Sequence, residues 1–138
     1  MYKESILNGF KKGISTLWEL SKVVVPVYFF VTFLGYTPLL NIISNFFEPG
    51  MKLLGLPGEA AVPLVLGNFI NLYAAIGAMA SISLSARQAT ILAIMLSFSH
   101  SLLLESAIVK KTSVNLALII FIRIILAILS GIIFNLIL

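Results

Sequence analysis

The sequence has no cysteine and a single histidine, and only 10% of its 138 residues are charged. Without thiols there is neither a disulfide framework nor a thiolate metal site, and a lone histidine cannot supply a metal-binding pair at i, i+4 on a helix. No metal cofactor is therefore expected. A soluble domain carries about 25% charged residues. A chain at 10% charged and 60% hydrophobic reads instead as an integral membrane protein. Acidic residues are fewer than basic ones, five against nine, and the resulting +4 lies mainly at the N-terminus and in loops. That placement suits orientation and lipid headgroups, and no motif for nucleic acid is present. Catalysis is not expected either, since one His and one Glu at i, i+5 lack a nucleophile or metal to act with.

What the sequence does have is apolar length, enough for three or four crossings at about 20 residues each. The expected fold is all-α: an N-terminal amphipathic interfacial helix, three spanning helices and one re-entrant helical hairpin. Within residues 1–22, Ile6, Phe10, Ile14, Leu17 and Trp18 fall on one side of a helix. Glu4, Asn8, Lys11, Lys12, Ser15, Glu19 and Lys22 fall on the other. This helix is expected to lie in the cytoplasmic interface, with Trp18 at the bilayer boundary; docking to a partner helix is the alternative. The first apolar run of the chain is too long for a removable signal peptide and lacks a small-residue cleavage site.

A first span is expected over 23–47, with a kink or break near Tyr36 caused by Pro38, and an interfacial turn over 48–59, EPGMKLLGLPGE. Residues 60–84 are ambiguous. They are long enough to cross, yet Gly67-Asn68-Phe69-Ile70-Asn71 places a glycine and two amides at the middle. If they cross, Lys3, Lys11, Lys12, Lys22 and Arg87 share the side of a cytoplasmic N-terminus, against Lys52, Lys110 and Lys111. If they form a re-entrant hairpin with its tip at 67–71, Lys110 and Lys111 replace Arg87 inside, and six face two. The hairpin fits the positive-inside rule better. Ala74, Ala75, Gly77, Ala78, Ala80 and Ser81 then permit close helix packing.

Further spans are expected over 87–109 and 114–138, joined by the turn Lys110-Lys111-Thr112-Ser113. The first carries His100 and Glu105 among Ser97, Ser99, Ser101 and Ser106. Ionisable groups at such depth ordinarily face a bundle interior or a wet cavity. Ser97, Ser101 and Glu105 form one stripe, whereas His100 and Glu105 stand about 140° apart on a regular helix. Either the two face different neighbours or the helix is interrupted between them. Counting from the turn, Arg123 sits roughly 15 Å deep and Glu105 roughly 10 Å, so an Arg123–Glu105 or Arg123–Ser101 contact is expected. Glu105 thus has a structural reading, the ion pair with Arg123, beside a role in transport. His100 has an interhelical hydrogen bond beside a ligand contact.

The order GNFIN, SARQA, SFSHSLLLESAIVKK and then a span containing Arg123 resembles the Gate, or nucleoside recognition, membrane domain family. Relatives in that resemblance include the spore maturation A and B membrane proteins and parts of concentrative nucleoside transporters and of the ferrous iron transporter. It covers roughly residues 20–138, and its most specific element is Ser99-His100-Ser101-Leu102 followed by Glu105. The resemblance implies half of a transporter-like repeat, completed by a second copy in a homodimer or by a related half-protein in a heteromer. It carries over Gly67, Asn68, Asn71, His100, Ser101 and Glu105 as solute-binding positions. The implied function is a transporter subunit in the cytoplasmic membrane with a midplane site for a small polar solute, such as a nucleoside. Phe69 or Phe98 could stack on a base, and Na+ or H+ could be the coupling ion, the proton carried by His100 or Glu105. The alternative is a non-transporting scaffold or regulator acting through a partner protein.

Overall fold

The computed structural model describes residues 2–110 and 114–138. Its described residues form seven α-helices: α1 (Tyr2–Gly35), α2 (Pro38–Leu53), α3 (Ala61–Phe69), α4 (Leu72–Ser81), α5 (Ala86–Ser99), α6 (Leu102–Val109) and α7 (Leu116–Ile137). A 3₁₀ turn, Gly58–Ala60, precedes α3. Three stretches are long and apolar enough to cross a membrane: Tyr2–Gly35, Ala86–Ala107 and Leu116–Ile137. Part of the expected turn after residue 109, residues 111–113, lies outside the described residues.

The first two helices depart from the expected boundaries. No break separates an interfacial helix from a span at Lys22, because residues 19–24 contain no Gly or Pro, and Lys22 Nζ donates to Glu19 Oε1 one turn back at 2.7 Å. The break comes at Tyr36–Thr37. Pro38 disfavours a helical conformation in the residue before it, and Thr37 is extended at ψ 156°. Pro38 then serves as the first residue of α2, where its missing N–H is no loss. The expected span 23–47 is thus the end of α1 plus most of α2. The expected turn over 48–59 is also shorter. The helix continues through Glu48-Pro49-Gly50 to Leu53, its last turn held by a 2.8 Å Glu48–Lys52 pair and by buried Met51. The chain turns instead at Leu54 to Pro57. There Gly55 has φ +67°, and a Cβ would overlap the Asn135 side chain.

α3 and α4 fold back on each other about Ile70–Asn71. A Cβ on Gly67 would lie 2.9 Å from that of Ala75, a pair that a continuous helix would hold about 12 Å apart. Glu59, before α3, and Ser81 to Ser83, at the end of α4 and just beyond it, wall the same cleft, so both arms of the hairpin open at one end. The small residues explain its packing. Ala74, Ala75, Gly77 and Ala78 are buried, and the backbone of Gly77 comes so close to α1 that a Cβ would stand 2.7 Å from the Val24 carbonyl oxygen. α1 and α4 run parallel: Gly77 meets Val24 and Val27, and Ser81 shares a cleft with Val31 and Thr32.

α5 starts with a capping box, Ser85 with Gln88, and lies antiparallel to α7. Arg87 Nη2 donates to Asn135 O and Oδ1 at one end, Met95 meets Gly131 in the middle, and Arg123 reaches Phe98 at the other. The core gathers where these pairs meet the hairpin, around Leu54, Ala75, Ile91, Leu92, Met95 and Leu96. Most of the outward surface of α1 and α7 is apolar and exposed, as bilayer-facing helices require.

Candidate functional site

The second break, between α5 and α6, lies at His100–Ser101, between His100 and Glu105. His100 is extended at ψ 155°, and Ser101 has φ +53°, the left-handed region that side chains rarely occupy. A helix broken in apolar surroundings leaves carbonyls and N–H groups that need partners. Three of those here find partners on other elements. The Ser101 N–H donates to the Gly67 carbonyl at 2.8 Å, so the break in α5–α6 is tied to the last turn of α3. Arg123, from α7, takes the carbonyls at the end of α5: Nε donates to Phe98 O at 2.7 Å and Nη2 to His100 O at 3.1 Å. Its Nη1 donates to the Glu105 carboxylate in the first turn of α6. The guanidinium therefore sits at the negative end of one helix, and the carboxylate at the positive end of the next.

The interruption also settles the azimuths. Instead of diverging as on a regular helix, His100 Nδ1 lies 3.4 Å from Glu105 Oε1. That nitrogen is buried and has no hydrogen bond, so the contact is an ion pair only when the ring is protonated. The Arg123 and Glu105 side chains are 20% and 37% exposed, so the pair is half-buried.

The six solute-binding positions carried by the resemblance are near neighbours but do not share one cavity. Gly67 has no room for a side chain, since a Cβ would stand 2.5 Å from Leu96 Cδ2. Asn71 caps α4, its Oδ1 accepting from the Ala74 N–H at 2.9 Å. Asn68 is different. Its Oδ1 is buried and unpartnered, and the side chain borders a cleft of about 170 Å³ with Ser99, Leu64, Met95, Ala127 and Ile128. His100 borders a second cleft of about 320 Å³ between α4 and α5, and Glu105 with Arg123 a third of about 100 Å³. Ser101 contributes its backbone. Phe69 and Phe98, the candidate stacking rings, are 59% and 40% exposed and point to no common cleft.

Sequence reasoning named Ser99 without placing it at the site, where it is buried beside Asn68, and missed the two carbonyls that Arg123 takes. Carbonyl acceptors carry no side-chain signature. The one available signal was Ser-His-Ser amid apolar residues, residue types that compete with helical hydrogen bonding. No group of three or more His, Cys, Asp or Glu arranged to hold a metal occurs among the described residues.

The arrangement is that of a hairpin tip meeting the break between α5 and α6, with an unpaired acceptor, an imidazole and an ion pair close by. Comparison with known proteins places it. The chain is 44% identical over 135 residues to the uncharacterized membrane protein YvoD of Bacillus subtilis, a match covering 98% of this chain and 43% of that one. It is 28% identical over 92 residues to the Fe(2+) transporter FeoB of Legionella pneumophila, covering 67% of this chain and 12% of the transporter. The chain thus spans less than half the length of either relative. No solved structure matches it. The Gate family, described as nucleoside recognition, matches residues 17–115, across the hairpin and the α5–α6 break. This integral membrane chain belongs to the Gate family.

Proposed function

We propose that the chain is a transporter subunit whose site for a small polar solute lies where the hairpin tip crosses the α5–α6 break. The observation that carries this reading is the Ser101 N–H to Gly67 O bond beside the unpaired Oδ1 of Asn68. Irregular backbone at membrane depth is tolerated where it is buried in protein or lines a wet cavity, and transporters place substrate at such discontinuities. On this reading residues 60–84 re-enter the bilayer with their tip at midplane. Asn68 accepts a hydrogen bond from a solute hydroxyl or N–H, and His100 and Glu105 lie within reach of a coupling proton. The Asn68 cleft, about 170 Å³, is smaller than the 300–1,000 Å³ usual for a ligand site. A second subunit, a copy or a related half-protein, supplies the remaining wall. The match to YvoD leaves more than half of that relative outside it, room for a second unit of this size. Similarity to part of an Fe(2+) transporter supports transport as the class, and the family's description supports a nucleoside as the solute.

The test is a thermal-shift screen in detergent against nucleosides, nucleobases and small ions, run on wild type and Asn68→Leu. Leucine removes an unpaired buried acceptor, so the variant is expected to melt higher without ligand. A solute that raises the melting temperature of wild type and not of Asn68→Leu supports the site. No solute-dependent shift in either protein counts against it. A second reading, a scaffold acting through a partner, draws on the fully exposed first half of α1. Loss of activity on deleting residues 2–19, with solute binding absent throughout, would favour it.

A further inference from the structure

At the open end of the hairpin, beside the α1–α2 break and away from the one between α5 and α6, is a polar cleft of about 340 Å³ between the end of α1, the start of α2 and the two hairpin arms. Its walls include Thr32, Tyr36, Asn41, Glu59, Ser81 and Ser83, all oxygen-bearing side chains with no basic residue among them. Glu19, Glu48 and Glu105 each face a cationic side chain. Glu59 has none among the described residues, and neither Lys52 nor Arg87 is at hand to neutralise it: the first pairs with Glu48 and the second bonds Asn135. α1 and α4 run parallel and end here, while α2 and the 3₁₀ segment begin here, so helix ends of both signs meet at the cleft and the Glu59 carboxylate is its only formal charge. Thr32 adds an independent observation. The helical hydroxyls of Ser21, Ser81, Thr90, Ser97, Ser99 and Ser130 each donate to a carbonyl three or four residues back. The Thr32 hydroxyl, in a helix with such carbonyls available, is buried in the wall of the cleft with no partner.

We infer that this cleft binds a small hard cation, held by the Glu59 carboxylate and neutral oxygens and retaining part of its water shell. Hard cations take oxygen ligands, and a site with a single carboxylate leaves several coordination positions to water. The volume admits this, since a water molecule occupies about 30 Å³ in the liquid. One carboxylate also implies weak binding, with Kd on the order of 1 mM. The site is separate from the hairpin tip and the α5–α6 break, and the inference stands whether or not a solute binds there. Glu59 also lies in the first turn of the 3₁₀ segment, where a negative charge is favourable without any ligand. The experiment must divide these two roles.

Melting of the full chain in detergent would be followed in chloride salts of sodium, potassium, magnesium and calcium, each titrated against N-methylglucamine at constant ionic strength. For wild type, at least one of the four should raise the melting temperature along a saturable curve. In Glu59→Gln that increment should vanish, while melting in N-methylglucamine stays close to wild type. Glu59→Asp, with the charge kept on a shorter arm, should retain a weakened increment. If Glu59→Gln does not fold, Asn41→Ala, at an exposed wall residue, should show the weakened increment instead. Equal responses of wild type and variant to all four ions, or a variant that melts lower by the same amount in every salt, overturns the inference.

Discussion

Arg123 shows why a charged residue persists in an apolar helix. Its three nitrogens close two carbonyls and a carboxylate that the α5–α6 break would otherwise leave unpaired. Arg123→Gln should therefore lower stability by about 2 kcal/mol, since hydrogen bonds to charged groups contribute roughly 1.5–3 kcal/mol. Arg123→Lys should recover part of this, having the charge without the fork. Melting in detergent checks both. Ser101 is the backbone counterpart. At φ +53° a side chain is strained, so Ser101→Gly should melt at or above wild type, while Ser101→Val should lose about 1–2 kcal/mol. A valine variant as stable as wild type would mean that residue 101 is not left-handed in solution.

Two close approaches between elements decide how the broken helices seat. Gly67 lets the end of α3 reach α5, with Leu96 and Ala75 filling the space that a Cβ would need. Gly67→Ala should cost about 1–3 kcal/mol, as overpacking does. Leu96→Ala, costly by itself because Leu96 is fully buried, should cost less in that background than alone, a non-additive pair measurable by a double-mutant cycle. Gly77 plays the same part between α4 and α1, but there a Cβ would meet the Val24 backbone, which cannot rotate away. Gly77→Ala should accordingly be at least as damaging as Gly67→Ala, with no single side-chain truncation restoring it. Greater tolerance at Gly77 would mean that α1 is less firmly seated on the hairpin than the close approach implies.

For the molecule as a whole, the first half of α1 and the apolar lateral surface are the most exposed parts of the described residues. Residues 3–19 are exposed on every side, apolar and basic faces alike, with Phe10 68% exposed. Deleting residues 2–19 should thus change the stability of the rest by no more than about 0.5 kcal/mol, and should weaken binding to vesicles with anionic headgroups if the basic face serves the membrane surface. Clefts of 100 to 320 Å³ bordered by Glu105, Asn68 and His100 open separately. A complete site needs them enclosed, so native mass spectrometry from detergent is expected to show at least a dimer. A strictly monomeric chain that still binds solute would require the site to close within one subunit.

The sequence by itself determined the membrane class, the all-helical fold and the family, because those follow from apolar length, scarce charge and a local motif. It also located the break before Pro38, since proline acts on the residue beside it. Tertiary structure decided what local rules leave open. The lack of Gly or Pro at 19–24 permits α1 to run on without requiring it, and α2 continues past Pro49 to Met51, which is buried in the core. The interruption at His100–Ser101 was one of two readings from spacing. It exists because Gly67, 34 residues earlier, and Arg123, from the last helix, satisfy the backbone groups it frees. Partners so distant in the chain leave no periodic trace in it, and only the fold brings them together.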